Sequence, residues 1–324
     1  MGPAQAVRSS VNDMLAYGSA LLAVQEAELV GQKPPPENPL QGAAKQLSDH
    51  ISKNSGPPSS LLQENAYGFG MDRIQLPQSL AGIGCNGMFV KEMPQLVPGP
   101  GSPHGGLSLV HTSSLAGYTS MLGLLPEYDN AVVFAIANAI GLDDPSGWTL
   151  QLIVETIINS KNKADYVALA SEAATNHARR EIENAKDLND VRRPDTKPRP
   201  SLDAYVGDYV GLGGMFKLGI RQQNTTSLGG GLEVRFQGLE SQAWPLTHYE
   251  HDTFTWLQPF NGQARRARFN LAGPGRVQTQ VHGGRERRRR TVGEIDRVCW
   301  IHEPGLGEKE QYFLRQTKGM VMQL

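Results

Sequence analysis

The sequence predicts an α+β protein in which an antiparallel sheet packs with helices and is followed by a small all-β domain. The first observation is a set of three apolar stretches separated by short turns, Leu107–His111, Tyr118–Leu125 and Ala131–Asn138. Short turns favour an antiparallel meander, and the nearly continuous apolar character of the third stretch predicts a strand buried on both faces.

Two further observations support this fold class. A helical period of apolar residues covers 147–159 and 163–186. After residue 201 the helical period gives way to alternation with period two, as in Leu232–Phe236, 253–257 and 266–270. The second half is therefore expected to be a barrel or a sandwich.

The N-terminal elements follow from local signals. Ser10 and Asp13 have the spacing of a capping box, which predicts a helix over residues 11–28 that ends before Pro34. Tyr67-Gly68-Phe69-Gly70-Met71 alternates glycine with large residues, which predicts a strand with close backbone approach.

The predicted domains are residues 1–186 and 202–324, joined by a linker. Residues 187–201 contain Pro194, Pro198 and Pro200 among many charges, a composition typical of a semi-rigid linker.

The composition is that of an ordinary soluble globular chain. The 324 residues carry a formal net charge of -1, which gives no indication of nucleic acid or a membrane as a partner. No run of about 18 apolar residues predicts a transmembrane helix, and the first residues lack the pattern of a signal peptide. The expected location is cytoplasmic by default.

Cysteine and sequon patterns add little. Cys85 and Cys299 lie in different predicted domains and have no zinc-binding spacing, so neither a disulfide framework nor a metal site is expected. Asn224 begins an N-x-S/T sequon, which has a meaning only in a secreted protein.

Four segments, taken in order, resemble the C-terminal half of a serine β-lactamase and penicillin-binding-protein-like domain, of the class C-related fungal type. They are the turn into a helix at 9–14, the Tyr-Gly-x-Gly strand at 67–71, the third motif at His111-Thr112-Ser113, and the closing hairpin at 125–138. The opening Leu202-x-x-Tyr205-x-Gly207-x-Tyr209 resembles that of the lipocalin-like domain often attached to such proteins.

This resemblance implies acyl transfer to or from an amide, ester or lactam, with a small-molecule acyl substrate and no cofactor. A serine activated by a lysine three residues later attacks a carbonyl in this family. That Ser-x-x-Lys motif is expected upstream of the third motif and is absent from this chain, which is therefore expected to be truncated. A second chain could supply the missing half. Alternatively, the chain is an inactive member of the family that binds a partner. A role in fungal secondary metabolism is implied by the resemblance only.

Two departures from the family pattern concern the nucleophile and the third motif. Ser160-Lys161-Asn162-Lys163 has the Ser-x-x-Lys spacing but follows the third motif, so we interpret it as a coincidence. Tyr128-Asp129-Asn130 matches the family's Tyr-x-Asn but is predicted to be a strand-connecting turn. Ser113 replaces a glycine and adds a Cβ where substrate passes close to the backbone.

The predicted site residues are His111, Thr112 and Ser113 as catalytic residues, and Tyr67 and Tyr118 as substrate-binding residues. Each has a structural alternative. The histidine could bond a neighbouring carbonyl at a strand end, the hydroxyl residues are common in edge strands, and the tyrosines could be core aromatics.

Three other polar clusters are interpreted as structural. Arg285–Arg290 is expected to be a solvated strand or loop face, since no aromatic residues interleave with it. His248 and His251 are expected on opposite faces of a strand, which argues against a metal site with Asp252. His104 is expected to be solvent-exposed.

Overall fold

The computed structural model describes residues 8–34, 36–49, 52–53, 64–80, 84–103, 106–115, 117–139, 143–223, 231–266, 278–283, 295–300 and 311–316. It contains helices and antiparallel sheets, which confirms the α+β class. The chain divides into two compact units, Met1–Arg179 and Arg180–Leu324. The division falls within a helix that the sequence predicted to end at residue 186.

The first unit contains a six-stranded antiparallel sheet whose strands are hydrogen-bonded in sequence order. Its elements are α1 (Val11–Leu29), α2 (Ala43–Ser48), β1 (Ser52–Lys53), β2 (Asn65–Gly68), β3 (Met71–Gln75), β4 (Leu107–Leu115), β5 (Tyr118–Leu125), β6 (Ala131–Asn138), α3 (Pro145–Ile157) and the start of α4 (Tyr166–Asp190). The bounds of β5 and β6 are those predicted, which confirms the meander. The prediction that β6 is buried on both faces is wrong, because Ile136 is exposed.

Helix α1 covers one face of the sheet, here called the α1 face. Ser10 Oγ accepts a hydrogen bond from the backbone N–H of Asp13, and the Asp13 carboxylate accepts one from the Ser10 N–H, which confirms the predicted capping box. Gly18 permits the helix to lie close to the sheet, since a Cβ there would lie 2.6 Å from Val132 Cγ1. The buried cluster on this face is formed by residues of α1, α2 and β3–β5, including Leu21, Leu22, Leu109, Leu122 and Leu124.

Helix α3 covers the opposite face, here called the α3 face. The Asp144 carboxylate caps the helix by accepting a hydrogen bond from the Gly147 N–H, and Pro145 occupies the first turn, where it has no N–H to leave unpaired. Leu150 and Val154 pack against a set of sheet residues that includes Ile74, Val110, Met121 and Val133. Helices of this chain thus cover part of each face of the sheet.

The second unit is a closed antiparallel barrel of eight strands, so of the two predicted alternatives the barrel is confirmed. Its strands are β7 (Gly207–Gly211), β8 (Phe216–Gln222), β9 (Leu232–Phe236), β10 (Ala243–Glu250), β11 (Thr253–Thr255), β12 (Gln278–Gly283), β13 (Ile295–Trp300) and β14 (Gln311–Arg315), with the short helix α5 (Phe260–Ala264) after β11. The strand predicted at 266–270 lies almost wholly outside the described residues.

Aromatic side chains fill the barrel. The buried cluster includes Tyr205, Tyr209, Phe236, Trp244, Phe254, Trp256, Trp300 and Phe313. Several of these rings meet edge to face, as Trp256 and Trp300 do with centroids 5.2 Å apart. An eight-stranded barrel is narrow enough to be filled by its own side chains, and this cluster does so.

The segment predicted to be a linker is held against the β10–β11 turn. Helix α4 extends to Asp190, and beyond it the Arg192 Nε donates to the His248 carbonyl oxygen and the Arg199 backbone N–H donates to Asp252 Oδ1. The Tyr205 hydroxyl donates to the same carboxylate oxygen at 2.7 Å. These bonds make residues 192–205 part of the barrel unit.

No helix among the residues that the structure describes is long and apolar enough to cross a membrane.

Candidate functional site

The site predicted around His111 begins with a tight turn between β2 and β3. The single strand predicted over residues 67–71 is wrong, because Phe69 and Gly70 adopt φ values of 42° and 90° and the chain reverses between Gly68 and Met71. Two consecutive residues with positive φ are typical of the turn that best matches strand twist in a hairpin. Gly70 therefore provides the positive φ that this turn requires.

This turn positions the imidazole of His111. The His111 Nδ1–H donates to the Gly70 carbonyl oxygen, with the two atoms 2.6 Å apart. The alternative interpretation of His111, as a histidine that hydrogen-bonds a neighbouring carbonyl group at a strand end, included such a bond. His111 is nevertheless exposed. Because Nδ1 carries the bonded proton, Nε2 of the neutral ring is left as a hydrogen-bond acceptor or proton acceptor.

Strand β4 has an open edge beyond His111. β3 pairs with residues 107–110 of β4, whereas β5 pairs with residues 109–115. Residues 111–115 thus have a β-sheet partner on one side only among the described strands. Alternate backbone N–H and C=O groups along this edge are available to an extended ligand.

The register separates the five predicted site residues into two groups. His111 lies opposite Leu122, Ser113 lies opposite Ser120, and Leu115 lies opposite Tyr118. Residues directly opposite each other share a face, and Leu122 belongs to the cluster under α1. His111, Ser113 and Tyr118 therefore lie on the α1 face, with Tyr118 four register positions along the strands from His111.

Thr112 and Tyr67 lie on the α3 face instead. Thr112 is opposite Met121, which packs with α3. Tyr67 is opposite Asp72, and Asp72 is opposite Val110 of the same cluster. The hydroxyl of Thr112 and the ring of Tyr67 are thus separated from the imidazole by the sheet itself.

Two residues near the site had escaped the sequence reasoning. Ser120 lies opposite both Ser113 and Ile136, so three strands contribute to one patch on the α1 face. Tyr118 is 52% exposed and Ile136 is 56% exposed, which is unusual for large apolar side chains so close together. The alternation of β5 and β6 could have revealed this patch once the register was known. The alternative interpretation of Tyr118 and Tyr67 as core aromatic residues is wrong, because Tyr118 is exposed and Tyr67 is 39% exposed.

The Ser160 motif is structural. Ser160 is buried, its hydroxyl donates to the Asn162 carbonyl oxygen, and it accepts from the Val97 N–H. Lys163 Nζ lies 3.7 Å from Glu155 Oε1. A nucleophilic serine needs an accessible oxygen and a base directed at it, and these contacts provide neither.

Other sequence candidates are placed as follows. Asp129 and Asn130 have φ values of 55° and 51° in the turn between β5 and β6, which confirms the turn prediction for this segment. His248 Nε2 bonds the His251 carbonyl oxygen. Across the described ranges, no cluster of three or more His, Cys, Asp or Glu side chains is arranged to hold a metal ion. His104, Asn224 and Arg285–Arg290 lie outside the described residues.

Comparison with known proteins gives little beyond this geometry. No known protein family and no curated protein matches the sequence. Solved structures that match include an octameric penicillin-binding protein homologue from Pyrococcus abyssi, with 13% identity over 94% of this chain and a TM-score of 0.29. Another is a structure titled SurE, with 14% identity over 95% of this chain and a TM-score of 0.26.

The chain spans less than half of each of these proteins, 46% and 48% of their lengths. With TM-scores well below 0.5, neither likeness defines a fold or an activity. The chain is an α+β protein with a helix-covered antiparallel sheet and an eight-stranded barrel. A penicillin-binding protein homologue is a distant structural neighbour.

Proposed function

We propose that the first unit presents the strand-edge half of an acyl-transfer site, which binds an extended acyl substrate along β4 beside His111. The observation that carries the proposal is the open edge of residues 111–115 next to an imidazole that a backbone carbonyl holds in place. An extended amide or ester can add to such an edge through main-chain hydrogen bonds.

The chemistry of the neighbouring groups supports the same role. His111 is exposed, and its Nε2 can accept a proton or, when protonated, donate a hydrogen bond to a carboxylate. Ser113 and Ser120 add hydroxyl groups on the same face, and Tyr118 and Ile136 offer apolar contact to a side chain of the substrate. The order of motifs in the sequence resembles that of the β-lactamase-related family, and this resemblance supports acyl transfer as the type of reaction.

The nucleophile belongs to residues other than Ser160 in this proposal. A separately made chain or segment carrying the Ser-x-x-Lys helix is the natural source. A protein that only binds the acyl compound is the second candidate, favoured by the side chain of Ser113 at the position of the family's glycine.

Binding calorimetry with benzylpenicillin, a strained cyclic acyl compound, tests the proposal. We expect saturable binding that weakens about tenfold in His111→Ala, whereas Tyr67→Ala on the α3 face leaves it unchanged. Equal loss in both variants, or the absence of binding, would contradict the proposal.

Turnover by the chain alone tests whether Ser160 acts as a nucleophile. We expect neither hydrolysis of a p-nitrophenyl ester nor labelling by a fluorophosphonate with the chain by itself. Stoichiometric labelling that is lost in Ser160→Ala would show that the serine set aside here is the nucleophile.

A further inference from the structure

A cleft of about 380 Å³ lies on the outer wall of the barrel, at the seam between β7 and β14. Its walls include Val210, Leu212, Tyr312 and Leu314, with Arg315 and Gln316 at one end. Volumes of this size lie within the range of small-molecule sites, which are mostly apolar with a few polar groups. Aromatic residues occupy the interior of the described barrel, whereas this cleft lies on its outer wall.

The register places a cation on the neighbouring strand at each side of Leu314 and Val210, next to the residues that line the cleft. Across four neighbouring strands, Arg297 lies opposite Leu314, Leu314 opposite Val210, and Val210 opposite Lys217. Leu314 is 61% exposed, so the floor is open to solvent. A row in which two apolar residues are flanked by Arg and Lys suits a ligand that is both apolar and anionic.

The two cations differ in how far they are already neutralised. Lys217 Nζ lies 2.9 Å from Asp208 Oδ2, and the Arg221 guanidinium binds the other oxygen of that carboxylate. Arg297 has a weaker partner, because its Nε lies 3.6 Å from Asp296 Oδ1, and its guanidinium carbon lies 5.6 Å from the centre of the Tyr312 ring. Arg297 is therefore the better candidate to meet an anion, with the aromatic ring beside it.

Arg315 also lines the cleft, but its guanidinium is directed at backbone carbonyls and at the buried Tyr209 ring. Its guanidinium donates to the Ile295 and Val206 carbonyl oxygens and lies 5.8 Å from the centre of the Tyr209 ring. Two of its five N–H donors are used in these bonds, and no ion pair to it is formed by the described residues.

We propose that this cleft binds an amphipathic carboxylate, with its alkyl or aryl part on Leu314, Tyr312 and Leu212 and its carboxylate at Arg297. Charge complementarity selects an anion, and the apolar floor selects a chain or ring of several carbons. The proposal concerns the barrel by itself and does not depend on the acyl-transfer site of the first unit.

Calorimetry on the full chain with decanoate tests the proposal. We expect saturable one-to-one binding of decanoate below its critical micelle concentration. Decyltrimethylammonium, which has an alkyl chain of the same length and the opposite charge, should bind at least tenfold more weakly. Leu314→Glu should weaken decanoate binding at least tenfold, because it places a like charge on the floor. Leu239→Glu is the matched control, since Leu239 is also an exposed leucine of the barrel, at 53%, and should bind as the wild type does.

Arg297→Gln provides an independent variant and should weaken decanoate binding at least fivefold while leaving the binding of decanol unchanged. Tryptophan emission reports whether each variant keeps the barrel folded. The proposal is overturned if decanoate shows no saturable binding, if the cation binds as well as the anion, or if the folded Leu314→Glu or Arg297→Gln protein binds as the wild type does.

Discussion

At the scale of single residues, hydrogen bonds to the backbone decide what His111 and Ser160 can do. The Gly70 carbonyl oxygen binds Nδ1 of His111, which is an exposed residue. Ser160 is bonded on both sides by backbone groups and is buried. The sequence predicted a catalytic role for His111 and a coincidental motif at Ser160, and the contacts of Ser160 agree with that interpretation.

Asp208 gives a prediction on pH at this scale. Burial by itself raises the pKa of this carboxyl, but hydrogen bonds from Arg221 and Lys217 outweigh it and hold the pKa below its usual value of 3.8. A lowered pKa in the folded state means that the stabilisation is present above pH 3.8 and is lost as the pH falls through the folded pKa.

We therefore expect Asp208→Asn to lower the urea midpoint of the barrel at pH 7, and the difference from the wild type to shrink as the pH falls below 3.8. Tryptophan emission measures this, since Trp244, Trp256 and Trp300 lie in the barrel core. The exposed Asp195→Asn is the control and should change neither value. A difference that stays constant with pH would mean that the ion pairs contribute nothing measurable.

At the scale of elements, helix α3 has an outer face without charge. Thr149, Leu152, Ile153, Thr156 and Ile157 are all exposed along it. The hydroxyls of Thr149 and Thr156 donate to the carbonyl oxygens four residues earlier, at 2.9 Å and 3.0 Å. Their methyl groups are left to face outward, so the whole stripe is apolar.

This stripe predicts dye binding. We expect the protein to bind the hydrophobic dye 8-anilinonaphthalene-1-sulfonate, and the double variant Ile153→Lys, Ile157→Lys to reduce the fluorescence at least twofold. Since both side chains are 38% exposed, stability should change by less than about 0.5 kcal/mol per site. The charge-matched control places lysines at Val167 and Val191, exposed valines outside α3, and unchanged dye binding in the α3 variant would refute the assignment.

Local patterns predicted some elements well and others not at all. The capping box at Ser10 and the bounds of β5 and β6 could be predicted because each depends on a short signal and a strong apolar run. The turn at Phe69 and Gly70 was missed because alternating glycines are compatible with a strand as well as with a hairpin. Whether Thr112 shares a face with His111 depends only on alternation, and the two therefore could have been separated from sequence.

The face of the sheet on which Tyr67 lies could not have been predicted from alternation. This face depends on the pairing of β2 with β3 and of β3 with β4, and the second pairing joins residues more than thirty positions apart. The choice between barrel and sandwich likewise depends on the pairing of β14 with β7, the first and last strands of the unit. Such long-range register is set by packing and leaves no local signal.

At the scale of the whole molecule, the chain contains two units with separate cores. One is a sheet between helices, with an open strand edge and a polar and apolar patch beside His111. The other is a barrel filled with aromatic residues, whose ligand-sized cleft lies on its outer wall. The two proposals therefore concern separate surfaces, one in each unit.

The central claim is that β4 binds an extended acyl compound along its open edge, and amide NMR tests it most directly. On titrating ¹⁵N-labelled protein with benzylpenicillin, we expect the largest chemical-shift changes on the amides of residues 111–115 and of Gly70. Shift changes centred on Ser160, or confined to the α3 face around Tyr67, would contradict it.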